Sequence, residues 1–165
     1  MKKLFCVSFA LIILLCGCKK SPDVTLVTEG LEFTAELNVL EEYEYRVQVI
    51  TPSHMIFETV KPEKIKGTVT EINGESVILS YKGLENKTDI SVLAENSPVN
   101  LIYKALVESA QKKVVSEENE FFIEFDGKGS KLYLSQMGLP LKIVFPKKQI
   151  TVVTKNPTVK KLSGT

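Results

Sequence analysis

The chain has 165 residues, with 21 basic and 20 acidic side chains, a single histidine and no tryptophan. This length predicts one domain with a hydrophobic core large enough to need no disulfide or metal. The near balance of charge argues against a nucleic-acid partner, because phosphate binding needs a basic face, usually with stacking aromatic side chains.

Residues 1–17 have the pattern of a secretory signal peptide. Lys2 and Lys3 supply a positive start, and an apolar run from Leu4 to Leu15 follows. The run is shorter than the roughly 20 residues that a membrane-spanning helix needs, so we expect it to direct export and then be removed. Removal takes two of the 21 basic residues and none of the acidic ones, which changes the net charge from +1 to −1.

The segment Leu15-Cys16-Gly17-Cys18 resembles the lipobox of bacterial lipoproteins. The resemblance implies that the Cys18 thiol carries acyl chains such as palmitate and that the chain is cleaved just before it. The alternative is an ordinary signal peptide that happens to end in cysteines. Two acyl chains anchor a protein stably, so the expected location is the extracytoplasmic side of the cell membrane or outer membrane. The third cysteine, Cys6, lies in the signal segment, so the mature chain has no pair for a disulfide.

Residues 18–30 are polar and without periodicity, which predicts a tether ahead of a single domain over 31–155. Strict alternation from Leu31 to Val39 predicts a strand, and a second run, Tyr43 to Val49, should pair with it as a hairpin. Residues 156–165 are interpreted as a tail.

The middle of the chain predicts further hairpins. After a turn at Pro52, Met55 to Thr59 forms a short strand, and Ile65 to Ile72 alternates with Ile65, Gly67 and Val69 on one side. Asn73-Gly74 is a strong hairpin signal, with residues 75–81 as the return strand. Residues 83–96 are predicted to be a loop with at most one short strand, near Ile90.

Ser97-Pro98 predicts the start of a helix, because Ser caps free amides and Pro is tolerated at the first position. An apolar stripe at helical spacing continues toward Lys112 and Lys113, which would lie at the negative end of the helix dipole. The stripe consists of Val99, Ile102, Tyr103, Leu106 and Ala110. Four more strands with glycine or proline turns complete the chain.

The predicted fold class is α+β, with about nine strands in one antiparallel sheet, because hairpin-length connections exclude parallel neighbours. A helix of about 15 residues is roughly 22 Å long. Such a helix is too short to cover both faces of a large flat sheet. We therefore expect a curved sheet, a half-barrel, wrapped around one main helix.

This order of elements resembles the LolA/LolB/LppX-like half-barrel envelope lipoproteins. The resemblance covers Phe33 to Val39, Tyr45 to Thr51, residues 62–81 with Lys66-Gly67 and Asn73-Gly74, and Gly138 to Ile143. It implies an apolar cavity between sheet and helix that takes acyl chains. The candidate ligand-binding side chains on the inner face are Phe33, Leu37, Tyr45, Val47, Ile102, Tyr103 and Leu106.

The sequence predicts no catalytic residue, metal or cofactor. His54 is the only histidine, no free thiol remains for nucleophilic catalysis, and no phosphate-binding glycine motif is present. The acidic cluster Glu41, Glu42 and Glu44 has two interpretations, paired carboxylates or a calcium site on one side and a solvated turn on the other. Residues 126–130 likewise suit either a cation loop or a simple turn.

Phe122 is out of phase with Phe121, so one of the two should lie on the wrong face unless a bulge intervenes. An exposed phenylalanine there would indicate a contact surface. Two functions remain open: a module that binds a lipid or other apolar ligand, and a lipoprotein with a filled core that binds another envelope protein. A hydrolase is a third and weaker hypothesis.

Overall fold

A computed structural model describes residues 23–160, so the predicted signal peptide and Cys18 lie outside the described residues. The described chain forms one sheet of eleven strands and one α-helix, α1, at Pro98–Ser109. The strands are β1 Leu31–Asn38, β2 Glu42–Thr51, β3 His54–Lys61, β4 Val69–Asn73, β5 Ser76–Tyr81, β6 Leu84–Asp89, β7 Val115–Glu117, β8 Glu120–Glu124, β9 Lys131–Leu134, β10 Pro140–Phe145 and β11 Ile150–Val159.

The order of strands across the sheet is β6-β5-β4-β3-β2-β1-β11-β10-β9-β8-β7, and every neighbouring pair is antiparallel. The first and last strands therefore pair at the centre, and both arms run outward from them. The segment that contains α1 joins the two edge strands, β6 and β7. The predicted α+β class, a curved antiparallel sheet on one helix, is confirmed, with eleven strands instead of about nine.

The core lies between the inner face of the sheet and α1. In β1 the odd-numbered side chains from Leu31 to Leu37 are buried and the even-numbered ones are partly exposed or exposed, as alternation predicted. The same face of both arms joins α1 in one cluster. The opposite face carries cross-strand ion pairs such as Lys155 with Glu36 at 2.6 Å, so it is solvated.

The helix begins as predicted and ends early. Ser97 Oγ accepts a hydrogen bond from the Asn100 N–H at 3.4 Å, and Pro98 is the first helical residue. The last helical residue is Ser109, so the prediction that Lys112 and Lys113 stabilise the final turn is wrong. The chain then continues to the edge strand β7, and Lys112 Nζ donates to a carbonyl in the loop after β8.

The hairpin at Asn73-Gly74 is confirmed, with its turn one residue later than the sequence signal placed it. Asn73 pairs with Ser76, so the two loop residues are Gly74 and Glu75. Gly74 has φ +60°, and glycine at the first central position is what a type II′ turn requires.

The alternation predicted from Ile65 to Ile72 is wrong in phase. Glu63–Ile65 forms a 3₁₀ turn, and Gly67, at φ +79°, redirects the chain before β4 starts. Thr70 and Ile72 then face the core, because Thr70 pairs with the buried Phe57.

Both edge strands depart from the prediction. The strand within residues 83–96 is the polar Leu84–Asp89, whereas Ile90–Val92 is a 3₁₀ turn. The short β7 was not predicted. Edge strands need no buried face, so apolar alternation does not reveal them.

The predicted domain boundaries are too narrow at both ends. Val24, in the predicted tether, is only 7% exposed, and β11 continues to Val159, which pairs with Leu31. Isolated apolar residues such as Val24 show no period in the sequence, so their burial depends on contacts with distant parts of the chain.

Candidate ligand site between helix and sheet

The seven candidate side chains all lie in the buried cluster between the sheet and α1. Phe33, Leu37, Tyr45 and Val47 come from the central strands β1 and β2, and Ile102, Tyr103 and Leu106 come from α1. Their shared location follows from alternation on the strands and from the three-and-four spacing on the helix. Their role in binding stays a prediction.

Two of these candidates carry a phenol. Tyr103 Oη donates to the carbonyl of Gly74 at 3.4 Å, which ties α1 to the β4–β5 turn. The ring of Tyr45 stacks on that of Tyr43, with 6.1 Å between centroids. Burial raises the pKa of both Tyr103 and Tyr45, so each phenol stays protonated and adds no charge to the inner face.

The interior beside Leu106 is filled. The cavity there, between α1 and the start of the sheet, has a volume of about 10 Å³, which is room for roughly one water molecule. It is lined by apolar or small side chains: Leu26, Val27, Thr28, Leu31, Val49, Pro52, Met55 and Leu106. Three of these come from the predicted tether, which therefore supplies part of the core.

We call residues 23–28 the strap. The strap starts beside the end of α1 in space, passes the β9–β10 turn and continues toward β1. The Val27 N–H donates to the carbonyl of Gly138 in that turn at 3.0 Å. Val24 is buried, and Leu26 and Val27 pack against the core. The sequence does not reveal the strap, because nothing in a glycine turn and three scattered apolar residues indicates that they are in contact.

Gly138 is the position that lets the strap come close. Its φ is +74°, and a Cβ built there would lie 1.8 Å from the Thr25 carbonyl oxygen. Any side chain would therefore collide with the strap backbone.

A cleft of about 440 Å³ lies where the strap meets the end of α1. This volume is within the range of small-molecule sites. Its walls are strap residues 23–26 on one side and Ala110, Lys112, Lys113 and Val114 on the other. Leu26 lines both this cleft and the small cavity beside Leu106, so the strap separates the cleft from the interior.

The acidic cluster at the start of β2 is a solvated, ion-paired turn. Lys64 Nζ lies 2.7 Å from a Glu41 oxygen, and Lys61 Nζ lies 2.8 Å from Glu42 and 3.2 Å from Glu44. The hydrogen bond from Lys64 lowers the pKa of Glu41. Within residues 23–160, no three His, Cys, Asp or Glu side chains are grouped so as to hold a metal ion.

The loop at 126–130 is a turn closed by its own aspartate. The Asp126 carboxylate accepts hydrogen bonds from the Lys128 N–H at 2.8 Å, the Ser130 N–H at 3.1 Å and Ser130 Oγ at 2.6 Å. Burial alone would raise the pKa of Asp126, but these hydrogen bonds outweigh it and the net shift is downward. The interpretation of this loop as a turn is confirmed.

Phe122 faces away from the core yet is only 5% exposed. The β8–β9 pairing is regular, so no bulge resolves its phase. Lys131 Nζ lies 3.9 Å from the centre of its ring, and the Tyr133 ring lies 5.8 Å away. The prediction that one of the two phenylalanines lies on the opposite face is therefore confirmed, but Phe122 is buried there and forms no exposed contact surface. On the same outer face, His54 Nε2 lies 2.8 Å from Glu71 Oε1.

This chain is similar to known proteins in its structure but not in its sequence. No family model and no curated protein matches the sequence. The chain is similar to a crystal structure of an uncharacterized conserved protein from Thermus thermophilus, at 15% identity and a TM-score of 0.52, over 83% of this chain and 82% of that one. It is also similar to a LolA superfamily protein from Nitrosomonas europaea, at 8% identity and a TM-score of 0.50, over 87% and 92% of the two chains.

The architecture is therefore LolA-like, as the sequence resemblance implied. At these identities the likeness establishes the fold and nothing further. Within residues 23–160, no helix is long and apolar enough to cross a membrane.

Proposed function

We propose that this protein is a lipid-anchored, non-enzymatic component of the cell envelope that binds an apolar ligand, such as a lipid or acyl chain, on the concave side of its sheet. The main support is the cleft of about 440 Å³ beside an apolar interior. Cys18 supplies the anchor in this proposal and places the protein on the extracytoplasmic side of the cell membrane or outer membrane.

The character of the interior favours an apolar ligand. The buried side chains of the described chain include no Asp, Glu, Lys or Arg. A carboxylate or phosphate would lose its hydration there without a charged partner, whereas each buried methylene group contributes about 0.8 kcal/mol. A polar headgroup would stay in the cleft, where Lys112 and Lys113 line one wall.

A binding assay on the mature chain with Cys18→Ser tests the ligand. We expect native mass spectrometry to show bound lipid after mild purification, and a fluorescent fatty acid to bind with saturation. Ala110→Phe should weaken binding by filling the cleft, while Ala94→Phe, at an exposed position before α1, should not. A ligand-free protein that binds no fatty acid or phospholipid would contradict the proposal.

The anchor is tested separately in bacteria that express the full chain. An alkyne palmitate analogue should label the wild type and the Cys16→Ala variant, and both should sediment with membranes. Cys18→Ala should lose the label and leave the membrane fraction. Labelling of Cys18→Ala, or a mature terminus other than Cys18, would show that the lipobox interpretation is wrong.

The filled interior supports a second candidate, an envelope protein that binds a protein partner and no lipid. The cavity beside Leu106, at about 10 Å³, holds no acyl chain as it stands. This candidate predicts a ligand-free domain in native mass spectrometry and a stable partner after crosslinking in cells. The first proposal, binding of an apolar ligand, predicts instead that native mass spectrometry shows a domain with bound lipid.

A further inference from the structure

We propose that the strap occupies the groove that an acyl chain enters, so that ligand and strap compete and loading displaces residues 23–28. This inference rests on the proposed function and names the ligand's entrance and its control. According to this inference, the strap occupies the ligand's place whenever no ligand is bound.

The first support is the chemistry of the groove. Val24, Leu26 and Val27 place aliphatic side chains against the core, as an acyl chain would. The surfaces that receive them are also aliphatic, with Leu31 and Leu106 beside Leu26. A groove that accepts these side chains in succession accepts a run of methylene groups by the same contacts.

The second support is the weakness of the attachment. Residues 23–28 form no helix or strand. Within the described residues, their backbone is joined to the rest of the fold by a single backbone hydrogen bond, from Val27 to Gly138. A strand of the sheet would break several ladder bonds on leaving, whereas the strap breaks one. The strap can therefore leave the interior with fewer broken backbone hydrogen bonds than a strand of the sheet.

The third support is the position of the strap between the two volumes. Leu26 lines the 440 Å³ cleft on one side and the 10 Å³ cavity on the other. Removing the strap would join the open cleft to the apolar interior. The cleft is thus the entrance, and the strap blocks its inner end.

The strap also lies close to the proposed anchor. Cys18 precedes Asp23 by five residues, which span at most about 18 Å when fully extended. A lipidated Cys18 therefore keeps the cleft within that distance of the bilayer surface. Movement of the strap would occur where membrane lipid is available.

The experiment uses the mature chain with Cys18→Ser and compares Gly138→Ala with Gly83→Ala. Both glycines have similar positive φ, +74° and +81°, but a Cβ at position 83 meets nothing within 4 Å. Backbone strain is matched, and only Gly138→Ala pushes on the strap. We expect Gly138→Ala to lower the dissociation constant of a fluorescent fatty acid about tenfold, since losing the competitor raises the binding-competent fraction. Gly83→Ala should bind as the wild type does.

Hydrogen exchange of the Val27 amide gives a second readout that needs no variant. In the wild type, saturating fatty acid should accelerate exchange at this amide, because its bond to Gly138 is lost. Slower or unchanged exchange upon binding, or weaker binding in Gly138→Ala than in Gly83→Ala, would overturn the inference while the proposed function stands. If no form binds any acyl probe, the proposed function and the inference both fail.

Discussion

Leu106→Ala tests whether α1 packs on the sheet as described. Leu106 is 4% exposed and borders the cavity of about 10 Å³ between the helix, the strap and β1. The site is almost completely filled, so the substitution removes three carbon atoms and leaves a cavity in their place. We expect it to destabilise the domain strongly while leaving the fold intact.

The expected magnitude has two parts. Three buried carbon groups at about 0.8 kcal/mol each contribute roughly 2.4 kcal/mol of lost transfer free energy. The cavity that remains adds to this, and buried Leu to Ala changes in close-packed interiors cost about 2.7–5 kcal/mol in all. We therefore expect the free energy of unfolding to fall by about 3–4 kcal/mol, out of a total of roughly 5–15 kcal/mol for a domain.

Urea unfolding of the mature chain, followed by circular dichroism, measures the effect. In thermal unfolding, at about 2–4 °C per kcal/mol for a domain of this size, the melting temperature should fall by roughly 6–16 °C. Leu84→Ala is the matched control, since Leu84 is 77% exposed on β6 and should change stability by less than about 0.5 kcal/mol. A loss below about 1 kcal/mol for Leu106→Ala would refute the packing of α1 described above.

Three further substitutions test particular contacts. Asp126→Asn should destabilise the protein near neutral pH. The pKa of Asp126 in the folded state lies below its ordinary value of 3.8, so the stability that the carboxylate contributes is present above that value and is lost as the pH falls. The urea midpoints of the variant and the wild type should therefore converge in acid. Thr154→Val removes the hydroxyl that donates to the Pro140 carbonyl at 2.5 Å and should cost about 1–3 kcal/mol, measured by urea unfolding. Ser97→Ala removes the cap that accepts from Asn100 and should cost about 1 kcal/mol, with Ser97→Asp retaining most of the stability.

The features that the sequence predicted are those set by local chemistry. Alternation in β1 and β2 identified the buried face, because one side of each strand meets the core and the other meets water. Ser97-Pro98 marked the helix start for an equally local reason, the capping of free amides. The seven candidate residues lie together because these periodicities hold across the central strands and α1.

The features that the sequence did not predict depend on contacts between distant residues. Gly138 lies in a short turn between two strands, as glycine often does, but its close approach to Thr25 depends on the folding of the long chain between them. The phase of Thr70 depends on its pairing with Phe57 and not on its own neighbours. Phe122 is an apolar residue on the solvated face, and its burial depends on Lys131 and Tyr133 from the next strand.

A filled interior and a carrier function are compatible if what fills the interior can leave. The strap's three aliphatic side chains, two of them only partly buried, contribute at most about 1.5–3 kcal/mol each. An acyl chain gains about 0.8 kcal/mol for each methylene group that it buries. On these figures a chain that buries fewer than about five methylene groups does not outweigh three fully buried aliphatic side chains, whereas a chain that buries about twelve does. If the strap competes with the ligand as proposed, it therefore sets a minimum chain length for the ligand.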